Sequence, residues 1–126
     1  DDETLQYGVD ESYKLNIVST SNTATINAPT IYGALKGLET FSQLVLYNFT
    51  LGYYQTFTSD IDDAPRFSWR GILIDTSRHF LTMDAIKGVL ASMEFAKFNV
   101  LHWHIVDTQS FPFESKAYPL FNNGAY

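Results

Sequence analysis

With 126 residues, 45% of them hydrophobic, the chain has room for one ordinary domain and enough apolar surface for a core, which excludes a disordered tail. A net charge of -6 excludes the basic footprint that nucleic acid or an anionic membrane surface requires. There is no cysteine, so disulfides, thiolate metal sites and cysteine nucleophiles are out, and no apolar run approaches the ~20 residues of a membrane span.

Residues 1–10 read as a loop, and the acidic, polar start DDETLQYGVDES is not a signal peptide. In residues 13–19 (YKLNIVS), Tyr13, Leu15 and Ile17 alternate with Lys14, Asn16 and Val18, the pattern of a half-buried strand. Ser21-Asn22 marks a turn, and the β-branched run 23–28 (TATINA) completes a predicted hairpin. Pro29 ends the strand, and Thr30 is placed to cap a helix running to about Tyr47. Ile31, Ala34, Leu35, Leu38, Phe41 and Val45 form its expected apolar stripe. Gly33 and Gly37 cost helix propensity, and their spacing suits close packing on a sheet.

Asn48-Phe49-Thr50 is an N-glycosylation acceptor triplet. Residues 53–58 (YYQTFT) read as a third strand. The stretch 59–65 (SDIDDAP), with three acids and a proline, reads as a linker and domain boundary; a calcium loop is the sharper alternative, without the EF-hand spacing.

After Pro65 the pattern changes. Residues 71–74 (GILI) read as a buried strand, followed by the polar Asp75-Thr76-Ser77-Arg78-His79. A helix is expected over 83–97, capped by Thr82, with Asp84 favourably placed in its first turn and a stripe of Met83, Ile86, Val89, Leu90, Met93 and Lys97. The run after Asn99 (VLHWHIV) reads as a strand apolar enough to be buried on both faces, with Asp107 just past its carboxyl end. Strand, helix, strand is a right-handed βαβ unit with parallel strands. Residues 75–79 and 107–110 then face one mouth at the carboxyl ends, where α/β folds place their chemistry.

Two candidate chemistries arise there. The Arg78 guanidinium is a fixed fork that could grip a carboxylate, a phosphate or a pair of sugar hydroxyls, or could simply pair with Asp75 or Asp107. His102 and His104, two apart on one strand, share a face; with Asp107 they suit a metal-dependent barrel hydrolase, or are hydrogen-bonded core histidines. Trp69 and Trp103 read as packing residues. No Ser-His-Asp set, phosphate loop or nucleotide fingerprint is present.

The segments RGILIDTSRH, then HWHIVD after one helix, then SFPFES resemble glycoside hydrolase family 20, the β-N-acetylhexosaminidases, nearest their lysosomal and secreted eukaryotic branch. GVDESY and GALKGLETFSQLV resemble the end of that family's amino-terminal α/β domain, and APRFSWRG its junction with the barrel. The resemblance implies an α/β fold class: residues 1–62 close an α+β amino-terminal domain, and residues 63–126 begin a (β/α)8 TIM barrel with its first two strands. It implies a retaining exo-enzyme removing terminal N-acetylglucosamine or N-acetylgalactosamine, in which the substrate's own acetamido oxygen attacks the anomeric carbon. Arg78 matches the arginine that grips the terminal sugar. Asp107 matches an aspartate that supports the catalytic acid through a histidine of a later strand. The family's Asp-Glu pair, after a His-x-Gly-Gly signature, is absent from these 126 residues, and Thr108 stands where many animal members have a second aspartate.

The resemblance further implies no cofactor, a glycan ending in an N-acetylhexosamine as substrate, the remainder of the barrel as a partner in the same or a separate chain, and a lysosomal or secreted location. A homo- or heterodimer is left open, as is a catalytically inactive sugar-binding relative. A (β/α)8 barrel takes about 250 residues, so the chain is expected to be a piece of a larger enzyme and inactive alone.

Overall fold

The computed structural model describes residues 4–124. The chain separates into two compact units, Asp1–Ser68 and Trp69–Tyr126.

The first unit is built on strand β1 (Tyr13–Val18), flanked antiparallel by β2 (Thr23–Asn27) and β5 (Ser59–Asp63). The expected alternation is present: Tyr13, Leu15 and Ile17 are buried, and Leu15 is fully inaccessible. Helix α1 (Ile31–Leu44) covers that face and contributes Phe41 and Leu44 to the cluster. It begins where expected, with Thr30 Oγ1 accepting the Gly33 N–H at 3.1 Å.

Three expectations for this unit are corrected. First, the helix stops at Leu44, and 46–48 form strand β3 (Leu46–Asn48), paired antiparallel with β4 (Tyr53–Gln55); the third strand expected over 53–58 ends after three residues. Aromatic and β-branched residues cluster here, and cross-strand pairing overrides the helical step. Second, the acidic stretch 59–65 is not a linker over its first five residues. These are β5, with Asp62 ion-paired to Lys14 at 2.7 Å and Asp63 accepting the Tyr13 hydroxyl at 2.8 Å. A partner strand that supplies a cation and a phenol makes an acid-rich edge strand tolerable. Third, α1 turns a different face to the sheet. Gly33 and Gly37 are its buried residues, while Ile31, Leu35 and Leu38 of the expected stripe are exposed. A Cβ on Gly33 would collide with the Ser12 carbonyl oxygen, and one on Gly37 would lie 2.9 Å from Ile26 Cγ2. Close backbone approach selects the small residues, as their four-residue spacing suggests.

The second unit is the βαβ motif. Strands β6 (Gly71–Asp75) and β7 (Val100–His104) pair in parallel, joined through helix α2 (Met83–Phe95). Thr82 caps α2 by accepting the Ala85 N–H at 3.2 Å. The helix ends two residues earlier than expected, in a Schellman motif: Phe98 N–H donates to Met93 O at 2.8 Å and Lys97 N–H to Glu94 O at 3.0 Å, with Lys97 in the left-handed region at φ 58°. Ile86 and Met93 of the expected stripe are buried; Met83 and Leu90 are not. Nor are the strands buried on both faces. Leu73 on one face is 54% exposed, and Ile72 and Trp103 on the other are over a third exposed, because one helix and two strands do not cover either face of the sheet completely. A short 3-10 helix (Pro119–Gly124) follows, with Phe121 against Phe111 and Tyr118. Among the described residues no helix is long and apolar enough to cross a membrane.

Candidate functional site

The register of β6 on β7 pairs Asp75 with His104, and Thr76 N–H continues the ladder to His104 O at 3.1 Å. Both strands therefore end at one level. The segments beyond them are tied by reciprocal bonds: Ser77 Oγ donates to Ser110 O at 2.9 Å, and Ser110 Oγ donates to Ser77 O at 2.5 Å. Asp107 N–H adds a third bond, to Ser110 O at 2.7 Å. Trp103 Nε1 donates to Thr76 Oγ1 at 2.8 Å, so this ring braces the strand end as well as packing.

On that frame Arg78 is forked between two carboxylates. Its Nε donates to Asp75 Oδ2 at 2.7 Å, its Nη2 pairs with the same oxygen, and its Nη1 donates to Asp107 Oδ2 at 3.1 Å. Asp75 also caps the turn, its Oδ1 accepting the N–H groups of Ser77 and Arg78. The two pairings open from the sequence are thus both made. They do not bury the arginine: its side chain is 53% exposed, against 22% for Asp75 and 18% for Asp107. The carboxylates orient the guanidinium and leave about half of the side chain exposed.

Asp107 is the most strongly held carboxylate. Its Oδ2 accepts from His104 Nε2 at 3.0 Å as well as from Arg78. Its Oδ1 accepts the Thr108 N–H at 2.6 Å and the Thr108 hydroxyl at 3.1 Å. The His104 bond, then the Thr108 hydroxyl, and the Arg78 charge hold its pKa down at about 2. Asp75 is held below the usual carboxylate range chiefly by its Arg78 hydrogen bond.

The metal alternative finds no support in the geometry. His102 lies opposite Leu73 on the exposed strand face, and His104 is engaged by Asp107. Among the described residues no group of three or more His, Cys, Asp or Glu side chains could hold an ion. What the residue-by-residue reading missed is the role of His104 as a partner of Asp107. The signal was present in the three-residue spacing across the strand end, which returns a side chain to the one before it.

The family model "Glycosyl hydrolase family 20, catalytic domain" matches residues 67–126, and the model "beta-acetyl hexosaminidase like" matches residues 1–44. The chain belongs to glycoside hydrolase family 20. It is 55% identical over 133 residues to beta-hexosaminidase 1 of Arabidopsis thaliana, a match covering all of this chain and 25% of that protein. It is 54% identical over 118 residues to the human beta-hexosaminidase subunit beta, covering 93% of this chain and 21% of that one. Among solved structures, the Flavobacterium johnsoniae chitobiase superposes with a TM-score of 0.78 at 44% identity, over 93% of this chain and 18% of that chain. The Vibrio harveyi exo beta-N-acetylglucosaminidase, in complex with N-acetylglucosamine, superposes with a TM-score of 0.79 at 28% identity, over 98% and 19%. The chain spans no more than a quarter of the length of these relatives.

Proposed function

We propose that the protein to which this chain belongs is a retaining exo-β-N-acetylhexosaminidase that removes terminal N-acetylglucosamine or N-acetylgalactosamine by substrate-assisted catalysis. One observation carries the reading: a guanidinium forked between two carboxylates at the aligned carboxyl ends of parallel strands, in a chain of family 20. A fork so held meets a bound sugar with its angle already set. It can donate to two hydroxyls at once, which a lysine cannot copy. Asp107, ionised and fixed by His104 and Thr108, is the group placed to carry negative charge toward the catalytic acid's supporting histidine. The Asp-Glu pair, the general acid included, comes from outside these 126 residues. In this reading residues 1–62 close the family's amino-terminal domain, and residues 63–126, with β6–α2–β7, open its (β/α)8 barrel. The substrate is a glycan ending in an N-acetylhexosamine, a second subunit completes a homo- or heterodimer, and the setting is lysosomal or secreted.

The test is Arg78→Lys in the whole protein, assayed on a chromogenic N-acetylglucosaminide. kcat/KM is expected to fall on the order of 10² or more while the melting temperature holds. An unchanged kcat/KM with a lowered melting temperature would assign Arg78 to structure alone and overturn the sugar-gripping role.

A further inference from the structure

We propose that Asn48 carries an N-linked glycan whose first N-acetylglucosamine packs on the ring of Tyr53. The site lies in the first unit and is independent of the hydrolase reading. Asn48-Phe49-Thr50 is the one Asn-x-Ser/Thr triplet with a non-proline centre in the 126 residues. A triplet alone is weak grounds; here the fold adds three observations.

First, the triplet opens a loop: Asn48 is partly buried, and the two residues after it are exposed. Asn48 is the last residue of β3 and opens the loop to β4. Gly52, at φ 74°, closes that loop by donating to Asn48 O at 2.7 Å. Phe49 is 90% exposed, and Thr50 is exposed beside it.

Second, the two ends of the Asn48 amide have separate tasks. Oδ1 accepts the N–H groups of Thr50 and Leu51, each at 3.0 Å, and so shapes the loop. Nδ2, the atom that takes the sugar, makes no such backbone bond; it donates to the Gln55 side chain at 3.2 Å. Transfer from an oligosaccharyl pyrophosphate lipid forms a bond from Nδ2 to the anomeric carbon. It breaks the bond from that carbon to the pyrophosphate oxygen, which leaves with the electron pair, while Nδ2 gives one proton to a base. Nδ2 keeps one N–H, and Oδ1 keeps both backbone bonds, so the loop is unchanged by the modification.

Third, a platform stands opposite. The β3–β4 register pairs Asn48 with Tyr53, so the two side chains share one face of the hairpin, with Cβ atoms about 5 Å apart. Tyr53 is half exposed. Its ring presents a negative face to the polarised C–H bonds of a sugar. Tyr47, Phe49 and Tyr54 pack edge-to-face among themselves, with Tyr47 centred 5.0 Å from each neighbour. By the same register Tyr47 and Tyr54 lie on the opposite face of the hairpin from Asn48 and Tyr53.

The test uses the whole protein made in a eukaryotic secretory host. Trypsin releases residues 37–66, bounded by Lys36 and Arg66, as a peptide whose only acceptor is Asn48. The expected result is a glycan on this peptide, removed by peptide N-glycosidase with conversion of Asn48 to aspartate. Recovery of the peptide only in unmodified form overturns the proposal. Thr50→Ala removes the acceptor while leaving both Asn48 Oδ1 bonds in place, so its loss of the glycan is read on a folded protein. Packing on Tyr53 is read from melting temperatures, comparing wild type with Thr50→Ala, then repeating the pair in a Tyr53→Ala background and, should that variant misfold, in Tyr53→Leu. The glycan is expected to raise the melting temperature beside Tyr53 and to lose most of that gain without it. An equal gain in both backgrounds overturns the Tyr53 platform.

Discussion

In the antiparallel unit, the central strand β1 has a neighbour on each edge and a helix on one face, and Leu15 at its middle is inaccessible. In the parallel unit, β6 and β7 have only each other and α2, and Leu73, at the matching central position of β6, is half exposed. The first unit closes a small core from its own residues. The second keeps its apolar faces and parallel edges open, yet it is the one that carries the ordered polar network. Order at the mouth therefore does not derive from burial. It comes from charge-assisted and hydroxyl bonds among residues 75–78, 104 and 107–110, which need no finished core beneath them.

The largest effect expected from this contrast is on activity. On the proposed function, the 126-residue chain alone should hydrolyse no chromogenic N-acetylglucosaminide, because that reading takes the general acid from outside it. In the same sample, amide exchange should be slow in β1, β2 and β5 and fast in β6 and β7. Turnover by the isolated chain would overturn the division of labour, and equal protection in both sheets would erase the contrast between the units.

Next comes a matched pair of core truncations, measured by denaturant unfolding of the chain. Leu15→Ala should cost about 2–5 kcal/mol. Leu73→Ala should cost distinctly less, about 1 kcal/mol, since about half of that side chain is already in water. A large cost at Leu73 would mean that the parallel unit finds cover in solution.

Two helix glycines sharpen the comparison further. In Gly33→Ala the new methyl meets the Ser12 carbonyl, and the helix must lift from the sheet; overpacking of this kind costs about 1–3 kcal/mol. At Gly88 in α2 nothing lies within 4 Å of the added Cβ, so Gly88→Ala should stabilise by up to about 1 kcal/mol. Opposite signs in the two melting temperatures are the expected outcome.

The smallest effect is a titration. The folded pKa of Asp107 is depressed, from 3.8 to about 2. Its contribution is therefore fully present above the unfolded value and declines as pH falls below it, to be lost through the folded value near 2. Carboxyl chemical shifts should show Asp107 titrating well below an ordinary aspartate, and Thr108→Ala should move that midpoint upward. An unperturbed midpoint would mean that the His104 and Thr108 bonds are not formed in solution.

Much of this was legible in the residues themselves. Alternation in 13–18 and the order of apolar runs after Pro65 announced β1 and the βαβ unit, because their signals are local. For Arg78 the residues left two readings open, a ligand grip or a pairing with Asp75 or Asp107, and both pairings are made. The misreadings have a common source in non-local pairing. β5 was hidden because its acids look like a linker until Lys14 and Tyr13 stand beside them. In α1 the apolar stripe pointed to the wrong face, while the four-residue spacing of Gly33 and Gly37 pointed to the face that packs on the sheet. His104 was read as half of a histidine pair because strand parity groups it with His102, whereas the bend after β7 delivers it to Asp107.

The crossed serine bonds have a consequence for the order in which such a site is assembled. Ser77 and Ser110 lie within one stretch of the chain, on the two sides of a single helical crossover, and each hydroxyl closes on the other's carbonyl. A ribosome that has released residue 110 has already supplied every bond that sets the angle of Arg78. In the proposed enzyme this floor would be a template that precedes its walls, with segments made later docking against a geometry already chosen.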